Sequence, residues 1–308
     1  MSIIVPCYNE EESISYFYDA MKDLEKDIPE ANMEYVFIDD GSRDKTYRKL
    51  SELHEKDEKV KCISFSRNFG KEAAIFSGLR AATGDCVVVM DADLQHPPKT
   101  IIDMYEKWKE GYEVVEGVKL SRGKESFLHK CFANTFYNIM SKMMGVNMQN
   151  TSDFKLLDRK VVDVLADLHE KDTFFRALSY WVGFKSTSVH YEVQERVAGT
   201  TKWSVVSLAK YACKNMIAFS YAPLNFIMML GMIVLIIGAF FGIDALVSFV
   251  QGDTASGYPT LIFLLVMSTG VIMISLGIVG IYIAKIYEQV KDRPQYIIGN
   301  SSDMKSTK

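Results

Sequence analysis

Residues 86–98 read CVVVMDADLQHPP, and this stretch decides the fold. An apolar run rich in valine is typical of a strand that is buried on both faces of a parallel sheet. Asp91 and Asp93 follow the run directly, at the spacing that points two side chains of an extended segment the same way. The stretch therefore predicts a central strand whose carboxyl end carries paired carboxylates.

Short apolar runs of this kind recur through the first 120 residues. Strands are predicted at residues 3–6, 35–39, 60–65, 86–90 and 112–118, and helices at residues 11–27, 43–57, 70–82 and 99–110. Alternating strands and helices build an α/β domain with a doubly wound, mostly parallel sheet. Ligands of such sheets bind beyond the carboxyl ends of the strands, so the loops that follow the strands form the predicted site.

The composition excludes several classes of protein. With 48% hydrophobic and 24% charged residues, the chain has the composition of a folded protein rather than a disordered one. Its net charge of −4 argues against nucleic acid as a partner, because nucleic-acid-binding domains are usually basic. The five cysteines form no CxxC pair, so their spacing predicts neither a disulfide framework nor a zinc site.

The carboxyl-terminal third has the pattern of a membrane hairpin. Residues 224–284 contain only two charged side chains, Asp244 and Asp253. Two apolar segments, 224–250 and 259–284, are each long enough to cross a bilayer, which takes about 20 residues. Lysine and arginine flank the hairpin on both sides, whereas the turn between the segments has none. The positive-inside rule then predicts that the soluble part and both termini lie in the cytoplasm.

The paired carboxylates suit a divalent cation. Asp91, Asp93 and the amide of Gln95 repeat at every second position. Two neighbouring carboxylates repel each other unless a cation lies between them, and oxygen ligands at a strand end suit Mg²⁺ or Mn²⁺ that holds a diphosphate. An isolated Asp-x-Asp is more often a solvated turn, but its position after a buried strand favours the metal. His96 is either a further ligand or a fixed loop residue.

The loops after the first two strands carry groups that suit a nucleotide. After Pro6, Tyr8 offers an aromatic ring for stacking on a base and Glu10 offers a hydrogen-bond acceptor. One of Asp39 and Asp40 is expected to fix the turn, while the other accepts hydrogen bonds from a base or ribose.

Six blocks of the chain resemble glycosyltransferase family 2, and more narrowly its polyprenyl-phosphate branch. That branch includes dolichol-phosphate mannose synthases and bactoprenol glucosyltransferases. The blocks are IVPCYNE at 4–10, DDGS at 39–42, SRNFGK at 66–71, MDADLQHPP at 90–98, DFKLLD at 153–158 and RVAGTTKW at 196–203. Together with the hairpin, the resemblance covers essentially the whole chain.

The resemblance implies a nucleotide-sugar transferase fold and a role for each matching residue. The implied nucleotide-binding residues are Pro6, Tyr8, Glu10, Asp39, Asp40, Lys71 and Asp91. The implied metal ligands are Asp91, Asp93 and Gln95. Arg196 and Lys202 are implied to bind the pyrophosphate, and Asp153 is the implied catalytic residue. Asp153 is expected to orient the acceptor or to shuttle a proton. A salt bridge to Arg159 or Lys155 would instead give it a purely structural role.

The chain departs from the family pattern at two places. Lys155 replaces the arginine of the usual Phe-Arg-Leu, which is expected to weaken a phosphate contact because lysine cannot bind in a bidentate manner. The usual Gly-x-Arg is Gly117-Val118-Lys119 here, so the acceptor phosphate is assigned jointly to Lys119, Arg122 and Lys124. The Gln-x-x-Arg-Trp block of processive members is absent from the sequence, which favours a single transfer.

The resemblance thus predicts inverting, Mg²⁺- or Mn²⁺-dependent transfer of one sugar to undecaprenyl phosphate at the cytoplasmic membrane face. UDP-glucose is the preferred donor and GDP-mannose is the main alternative. A membrane scaffold with an inactive transferase fold is the alternative of another class. The predicted partners are the nucleotide sugar, the polyprenyl phosphate lipid, the bilayer and further copies of the chain, with a tetramer as one arrangement.

Four consecutive parts are predicted along the chain. They are a cytoplasmic nucleotide-sugar transferase domain at 1–203, a juxtamembrane amphipathic helix at 204–221, a transmembrane hairpin at 222–285 and a cytoplasmic tail at 286–308. The tail after Gly299 is polar and is expected to be loose. A further amphipathic segment at 124–145 either packs on its own sheet or lies at the membrane surface.

Overall fold

The computed structural model of the chain describes residues 1–120, 152–170, 173–194, 222–251 and 258–302. The chain divides into two units. One unit contains the described residues before 209 together with those after 293, and the other contains the described residues between them. The first is an α/β domain, and the second is a pair of long apolar helices.

An eight-stranded sheet forms the centre of the first unit. Its strands are β1 (Ser2–Cys7), β2 (Glu34–Asp39), β3 (Val60–Phe65), β4 (Cys86–Val89), β5 (Val114–Lys119), β6 (Lys155–Asp158), β7 (Ser186–Tyr191) and β8 (Ile298–Ser301). Their order across the sheet is β7-β5-β6-β4-β1-β2-β3-β8. Among the described strands, β6 and β8 pair antiparallel with their neighbours and the other pairs are parallel. The predicted doubly wound, mostly parallel α/β sheet is confirmed.

Six described helices connect the strands of the sheet. They are α1 (Ile14–Asp27), α2 (Thr46–Lys56), α3 (Lys71–Ala81), α4 (Thr100–Lys109), α5 (Arg159–Ala166) and α6 (Phe175–Trp181). In α1 the buried residues Phe17, Met21 and Leu24 are three or four positions apart, which places them on one face of the helix. This face belongs to the main hydrophobic core.

Helix α3 is buried more completely than the others. All residues from Ala73 to Leu79 are buried, and a Cβ atom added at Gly78 would lie 2.3 Å from the side chain of Ile4 on β1. The glycine therefore lets the helix approach the centre of the sheet closely. As a result, the first residue of the helix, Lys71, has a fixed position at the end of the neighbouring strands.

The antiparallel strand β6 has a direct consequence for the site. It pairs with β4 in a register that sets Val89 opposite Lys155. The residues just before Lys155 therefore lie at the same edge of the sheet as the residues just after Val89. This arrangement brings Asp153 next to Asp91, although the two are far apart in the sequence.

The tail differs from the prediction. Residues after Gly299 were expected to be loose, but Asn300 and Ser301 belong to β8, which pairs antiparallel with β3. The next residue, Ser302, donates its backbone N–H to the carbonyl oxygen of Cys62 over 2.8 Å. The expectation of a loose tail is therefore wrong for residues 300–302. The unpaired backbone groups of an edge strand favour such pairing, even where the sequence pattern for a strand is weak.

An aromatic contact fixes the tail to the domain, and its loss is expected to lower stability. Tyr296 stacks on Phe65 with ring centroids 4.8 Å apart and receives a 3.5 Å hydrogen bond from Arg80 Nη1. Replacing Tyr296 with alanine should lower the free energy of unfolding by about 1–2 kcal/mol. Thermal unfolding of the full chain measures the loss. Replacement of Tyr16, which is 58% exposed on α1, is the matched control and should change the unfolding free energy little. Equal losses in the two variants would show that the stacking of Tyr296 on Phe65 does not stabilise the domain.

The second unit contains two candidate membrane spans. Helices α7 (Ala222–Gln251) and α8 (Tyr258–Val290) contain apolar stretches at Leu224–Asp244 and Leu261–Val290 that are long enough to cross a membrane. The second helix extends to Val290, past the predicted end of the hairpin at residue 285. Large apolar side chains of both helices are exposed, as expected for surfaces that face lipid. The predicted turn between the helices lies mostly outside the described residues.

Candidate active site

Polar groups collect at one edge of the sheet in the first unit. Strands β1 and β2 are parallel and end together, with Cys7 opposite Asp39. Strand β4 ends at the same edge, and β6 begins there. The loops that follow β1, β2 and β4 therefore meet the segment that precedes β6, as the sequence predicts for a ligand site.

The two aspartates after β2 both stabilise loops. Asp39 accepts hydrogen bonds from the backbone N–H of Ser42 over 3.0 Å and from the Ser64 hydroxyl over 2.7 Å. Asp40 accepts the backbone N–H groups of Phe69 and Gly70 over 2.6 and 2.9 Å. Sequence reasoning assigned this task to only one of the two carboxylates. A direct contact of either with a nucleotide stays a prediction.

The loop after β1 is placed beside them. Tyr8 is 39% exposed, so its ring is accessible to a ligand. Glu10 accepts the Ser13 hydroxyl over 2.7 Å, which fixes its carboxylate at the start of α1. Pro6 is half-buried at the end of β1. The structure thus places Pro6, Tyr8 and Glu10 at the edge where the strands end, and their role in binding a base stays a prediction.

Asp91 and Asp93 follow β4 but face different partners. Asp91 Oδ1 lies 2.6 Å from the ammonium nitrogen of Lys71. Asp93 Oδ1 accepts the backbone N–H of Gln95 over 3.1 Å. Within the part of the chain that the structure describes, three or more His, Cys, Asp or Glu side chains do not gather in a metal-binding group. The predicted metal site therefore stays a prediction that rests on Asp91, Asp93 and Gln95.

His96 is a buried neighbour of Asp91. Its ring is 4% exposed and stacks on Phe154 with centroids 4.9 Å apart. Nδ1 lies 2.7 Å from the hydroxyl oxygen of Tyr191, and Nε2 lies 3.8 Å from Asp91 Oδ2. These contacts agree with the interpretation of His96 as a fixed loop residue, because one face of the ring and both ring nitrogens contact other residues.

Asp153 lies at the centre of an ion-pair network. Its Oδ2 accepts a hydrogen bond from Lys71 Nζ over 2.7 Å, so Lys71 bridges Asp153 and Asp91. Arg176 donates from Nε to Oδ1 over 2.6 Å and from Nη2 to Oδ2 over 3.0 Å. The expected alternative, a salt bridge of Asp153 to Arg159 or Lys155, is wrong.

The network fixes the charge of its members. Burial alone would raise the pKa of Asp153, but Arg176 and Lys71 outweigh it and hold that pKa well below its usual range. Burial opposes ionisation of Asp91 too, yet Lys71 and His96 lower its pKa. Burial would lower the pKa of Lys71, and its two carboxylate partners raise it instead. At neutral pH both carboxylates are therefore ionised and Lys71 is protonated.

The predicted phosphate-binding residues divide into two groups. Lys119 ends β5 near the network, where burial and the nearby Arg176 lower its pKa. The structure therefore places this predicted acceptor-binding residue close to Asp91 and Arg176. The other predicted phosphate-binding residues lie outside the described residues; they are Arg122, Lys124, Arg196 and Lys202.

Lys155 is buried and is not accessible to a phosphate. Its side chain is fully buried, 3.3 Å from Glu116 Oε1 and 4.0 Å from the ring centroid of Tyr180. The expectation that it weakens a phosphate contact is therefore wrong. A buried lysine needs a partner, and Glu116 on the neighbouring strand supplies it.

Glu72 is a partly buried acid next to the network, and it should make stability depend on pH. Burial first, and then the charge of Asp153, raise its pKa from the usual 4.5 to about 7. The folded chain then binds more protons than the unfolded chain between these values, so stability falls as the pH rises from about 4.5 to about 7. Glu72→Gln should remove this fall.

The measurement is thermal unfolding of the wild type and Glu72→Gln at pH 4 and pH 8. The variant should be more stable than the wild type at pH 8 by about 1–3 kcal/mol, with little difference at pH 4. Glutamine keeps an oxygen that can accept the backbone N–H of Phe175, as Glu72 does over 2.8 Å. The same change at the exposed Glu55 is the control. A gain that is equal at both pH values would contradict the shifted pKa.

The sequence matches a known family along more than half of its length. Residues 2–165 match the family described as Glycosyl transferase family 2. The chain belongs to this family. A Bacillus subtilis (strain 168) relative, "Uncharacterized glycosyltransferase YkcC", is 41% identical to this family 2 glycosyltransferase over 304 residues, 97% of this chain and 93% of the relative. The "Bactoprenol glucosyl transferase" of Shigella phage SfII is 36% identical over 303 residues, 98% of each chain.

A solved structure shows the same fold in the transferase domain. Mannosyl-3-phosphoglycerate synthase from Rubrobacter xylanophilus superposes with a TM-score of 0.50, covering 70% of this family 2 glycosyltransferase and 71% of the synthase. The two sequences are 16% identical, so the likeness concerns the fold alone.

Sequence reasoning missed one residue of the ion-pair network around Asp153. Arg176 lies in α6 between Phe175 and Ala177, which are both buried, and the aromatic spacing of the segment predicts only a packing helix. The signal that could have found it is a single arginine inside an otherwise uncharged and largely buried helix, because a charge there needs a partner.

Proposed function

We propose that the chain transfers a single sugar, with inversion, from a nucleoside diphosphate to a polyprenyl phosphate such as undecaprenyl phosphate. The proposed donor is UDP-glucose, by analogy with the relative named bactoprenol glucosyl transferase. The observation that carries the proposal is the meeting of Asp91, Lys71 and Asp153 at the end of β4 in a chain with two candidate membrane spans.

The chemistry of the reaction determines which charges the site needs. The bond between the sugar C1 and the donor phosphate oxygen breaks, and a bond forms between C1 and an oxygen of the lipid phosphate. Negative charge grows on the departing diphosphate, so positive charge that is already in place stabilises the transition state. Lys71, together with Arg196 and Lys202, is proposed to supply part of that charge.

Asp153 is proposed to act by orientation. A phosphate monoester has a second pKa of about 6, so most of the lipid phosphate is already doubly ionised at pH 7 and can attack without a strong base. The Asp153 carboxylate is itself held ionised by two cations. It is therefore suited to direct Lys71 toward the reacting groups, while Lys119, Arg122 and Lys124 are proposed to bind the acceptor phosphate.

Asp91, Asp93 and Gln95 are proposed to hold Mg²⁺ or Mn²⁺. Carboxylate and amide oxygens are the ligands that these ions prefer. The fit is supported by Asp91, which already has the Lys71 ammonium as a cation 2.6 Å away. The ion would supply a second positive charge for the diphosphate when bound. Asp91 must then exchange its contact with Lys71 for the ion.

The two apolar helices support a membrane location. We propose that α7 and α8 form a transmembrane hairpin, with the transferase domain and both termini on the cytoplasmic side. The predicted amphipathic segments at 124–145 and 204–221 lie outside the described residues, and a membrane-surface role for them stays a prediction. Assembly into a homo-oligomer stays a prediction too.

Incubation of membranes that contain the chain with radiolabelled nucleotide sugars tests the proposal. UDP-glucose, UDP-galactose, UDP-N-acetylglucosamine and GDP-mannose are compared, each with and without undecaprenyl phosphate and with Mg²⁺, Mn²⁺ or a chelator. The expected result is a lipid-extractable label, released by mild acid, that appears with UDP-glucose and requires both the lipid and the metal. Membranes with Asp91→Asn are the control and should give none.

Two other outcomes would change the assignment. Label from GDP-mannose alone would make the chain a mannosyltransferase of the same acceptor. Absence of labelled lipid with every donor would contradict the proposed transfer and favour a membrane scaffold.

A further inference from the structure

Arg176 binds Asp153 with a geometry that only arginine can provide. Its guanidinium donates two hydrogen bonds, one to each carboxylate oxygen, over 2.6 and 3.0 Å. Two parallel hydrogen bonds fix the plane of a carboxylate, whereas the ammonium of lysine acts as a point charge. The Asp153 side chain is 8% exposed, so protein contacts rather than water determine its orientation.

The first residue of the helix that carries Arg176 is held next to Lys71. The backbone N–H of Phe175 donates to Glu72 Oε2 over 2.8 Å, and the Phe175 side chain is fully buried. Glu72 directly follows Lys71 at the start of α3, and Lys71 also binds Asp153. The start of α3 therefore positions both cations that hold Asp153.

The last turn of the same helix is held by a buried charged cluster. Tyr180 donates its hydroxyl to Glu116 Oε2 on β5. Lys155 lies 3.3 Å from the other oxygen of Glu116 and 4.0 Å from the centroid of the Tyr180 ring. Glu116 and Lys155 are both buried, so a shift of α6 would leave buried charges without their partners, which is costly.

These contacts give a function to groups that the proposed chemistry does not use. Lys155 is the first residue of β6 and lies two positions after Asp153, so the cluster that fixes Tyr180 is attached to the strand that Asp153 directly precedes. Arg176 lies one turn before Tyr180 in α6. The helix is thus fixed to β5 and β6 through Tyr180 and to α3 through Phe175, with Arg176 between them.

We propose that Arg176 is a positioning residue of the transfer reaction, which fixes the Asp153 carboxylate against Lys71 and is itself held by the Glu72 and Tyr180–Glu116–Lys155 contacts. The role rests on the proposed function, because Asp153 orients a reacting group only if the chain transfers a sugar. A residue that fixes a reacting geometry affects kcat more than KM, since small displacements cost about 10²-fold in rate.

The first experiment measures kcat and KM for the full chain and three variants of Arg176 and Tyr180. Arg176→Ala should lower kcat by about 10²-fold and leave KM for the donor within about threefold. Arg176→Lys should lie between the wild type and alanine, because it keeps the charge but not the paired hydrogen bonds. Tyr180→Phe should lower kcat by about tenfold, because loss of the hydrogen bond to Glu116 allows α6 and Arg176 to shift.

Chemical rescue separates positioning from a general loss of structure. Methylguanidinium added to Arg176→Ala should restore kcat at least several-fold, and it should not restore Asp153→Asn. Arg48→Ala removes an exposed arginine that pairs with Glu52 over 2.9 Å, so it should keep wild-type kinetics with or without the additive. A wild-type kcat in Arg176→Ala would overturn the proposal. A loss of kcat that is recovered neither in Arg176→Lys nor by methylguanidinium would overturn it too. A wild-type kcat in Tyr180→Phe would show that the Tyr180–Glu116–Lys155 contacts do not hold Arg176 in place.

A thermal double-mutant cycle distinguishes this proposal from the proposed function. It compares the unfolding midpoints of Asp153→Asn, Arg176→Ala and the double variant with that of the wild type, and it requires no turnover. Residues in direct contact should give shifts that do not add, so the double variant should lose less than the sum of the single losses. Additive shifts would overturn the positioning of Asp153 by Arg176. A wild type that transfers no sugar would instead contradict the proposed function.

Discussion

Replacing Asp153 with asparagine is expected to lower kcat by about 10²–10³-fold, one of the two largest effects that the structure implies. The asparagine side chain keeps the shape but removes the charge that Lys71 and Arg176 share. Without this charge the two cations repel each other and no longer hold a fixed arrangement. KM for the donor should change much less than kcat, because the nucleotide loops after β1 and β2 are untouched.

The variant should also unfold more easily, but only moderately. The carboxylate is nearly buried while Lys71 is 40% exposed, so water screens part of the interaction. A loss of about 1–3 kcal/mol in the free energy of unfolding is expected. Asp163→Asn is a matched control, since Asp163 pairs with Arg159 over 3.4 Å and its side chain is 65% exposed. If Asp153→Asn kept wild-type kcat, the assignment of the catalytic centre would be wrong.

Gly41→Ala is expected to have the largest effect on stability. Gly41 has a φ of +64°, and a Cβ atom there would lie 2.3 Å from the carbonyl carbon of Arg67. The clash is with backbone, which cannot rotate away as a side chain can. Steric strain and the left-handed conformation together should cost about 2–4 kcal/mol of unfolding free energy.

Gly111→Ala isolates the contribution of the backbone clash. Gly111 has a φ of +89°, but the space around its added Cβ is open within 4 Å. It should therefore lose only about 1 kcal/mol from the left-handed conformation. Thermal unfolding of both variants gives the comparison. Equal losses of unfolding free energy in the two variants would show that the loops after β2 and β3 leave room for a side chain at Gly41.

Local patterns predict the parallel part of the fold because neighbouring residues determine it. The valine run before Asp91 forms β4, and the helical spacing after each strand gives amphipathic helices that bury one face. The same logic predicts that the polar loops meet at one edge, since parallel strands end together. The positions of Tyr8, Glu10 and the aspartates after β2 follow from this rule.

Long-range packing determines the features that sequence reasoning could not reach. Lys155 belongs to the residue type that is usually exposed, and only Glu116 on another strand and the Tyr180 ring allow it to be buried. Arg176 contacts Asp153 through a separate helix, across 23 positions in the sequence. The strand β8 has only four residues, and its pairing with β3 depends on an edge far away in the chain.

The most direct test of the central claim is a structure of the full chain with UDP-glucose and Mn²⁺, in which anomalous scattering locates the metal. We expect Mn²⁺ within about 2.0–2.6 Å of carboxylate oxygens of Asp91 and Asp93. The donor diphosphate should lie on the metal, and Lys71 should have left Asp91 while it still contacts Asp153. A nucleotide bound elsewhere, or a Lys71–Asp91 ion pair that persists with donor and metal present, would contradict the account.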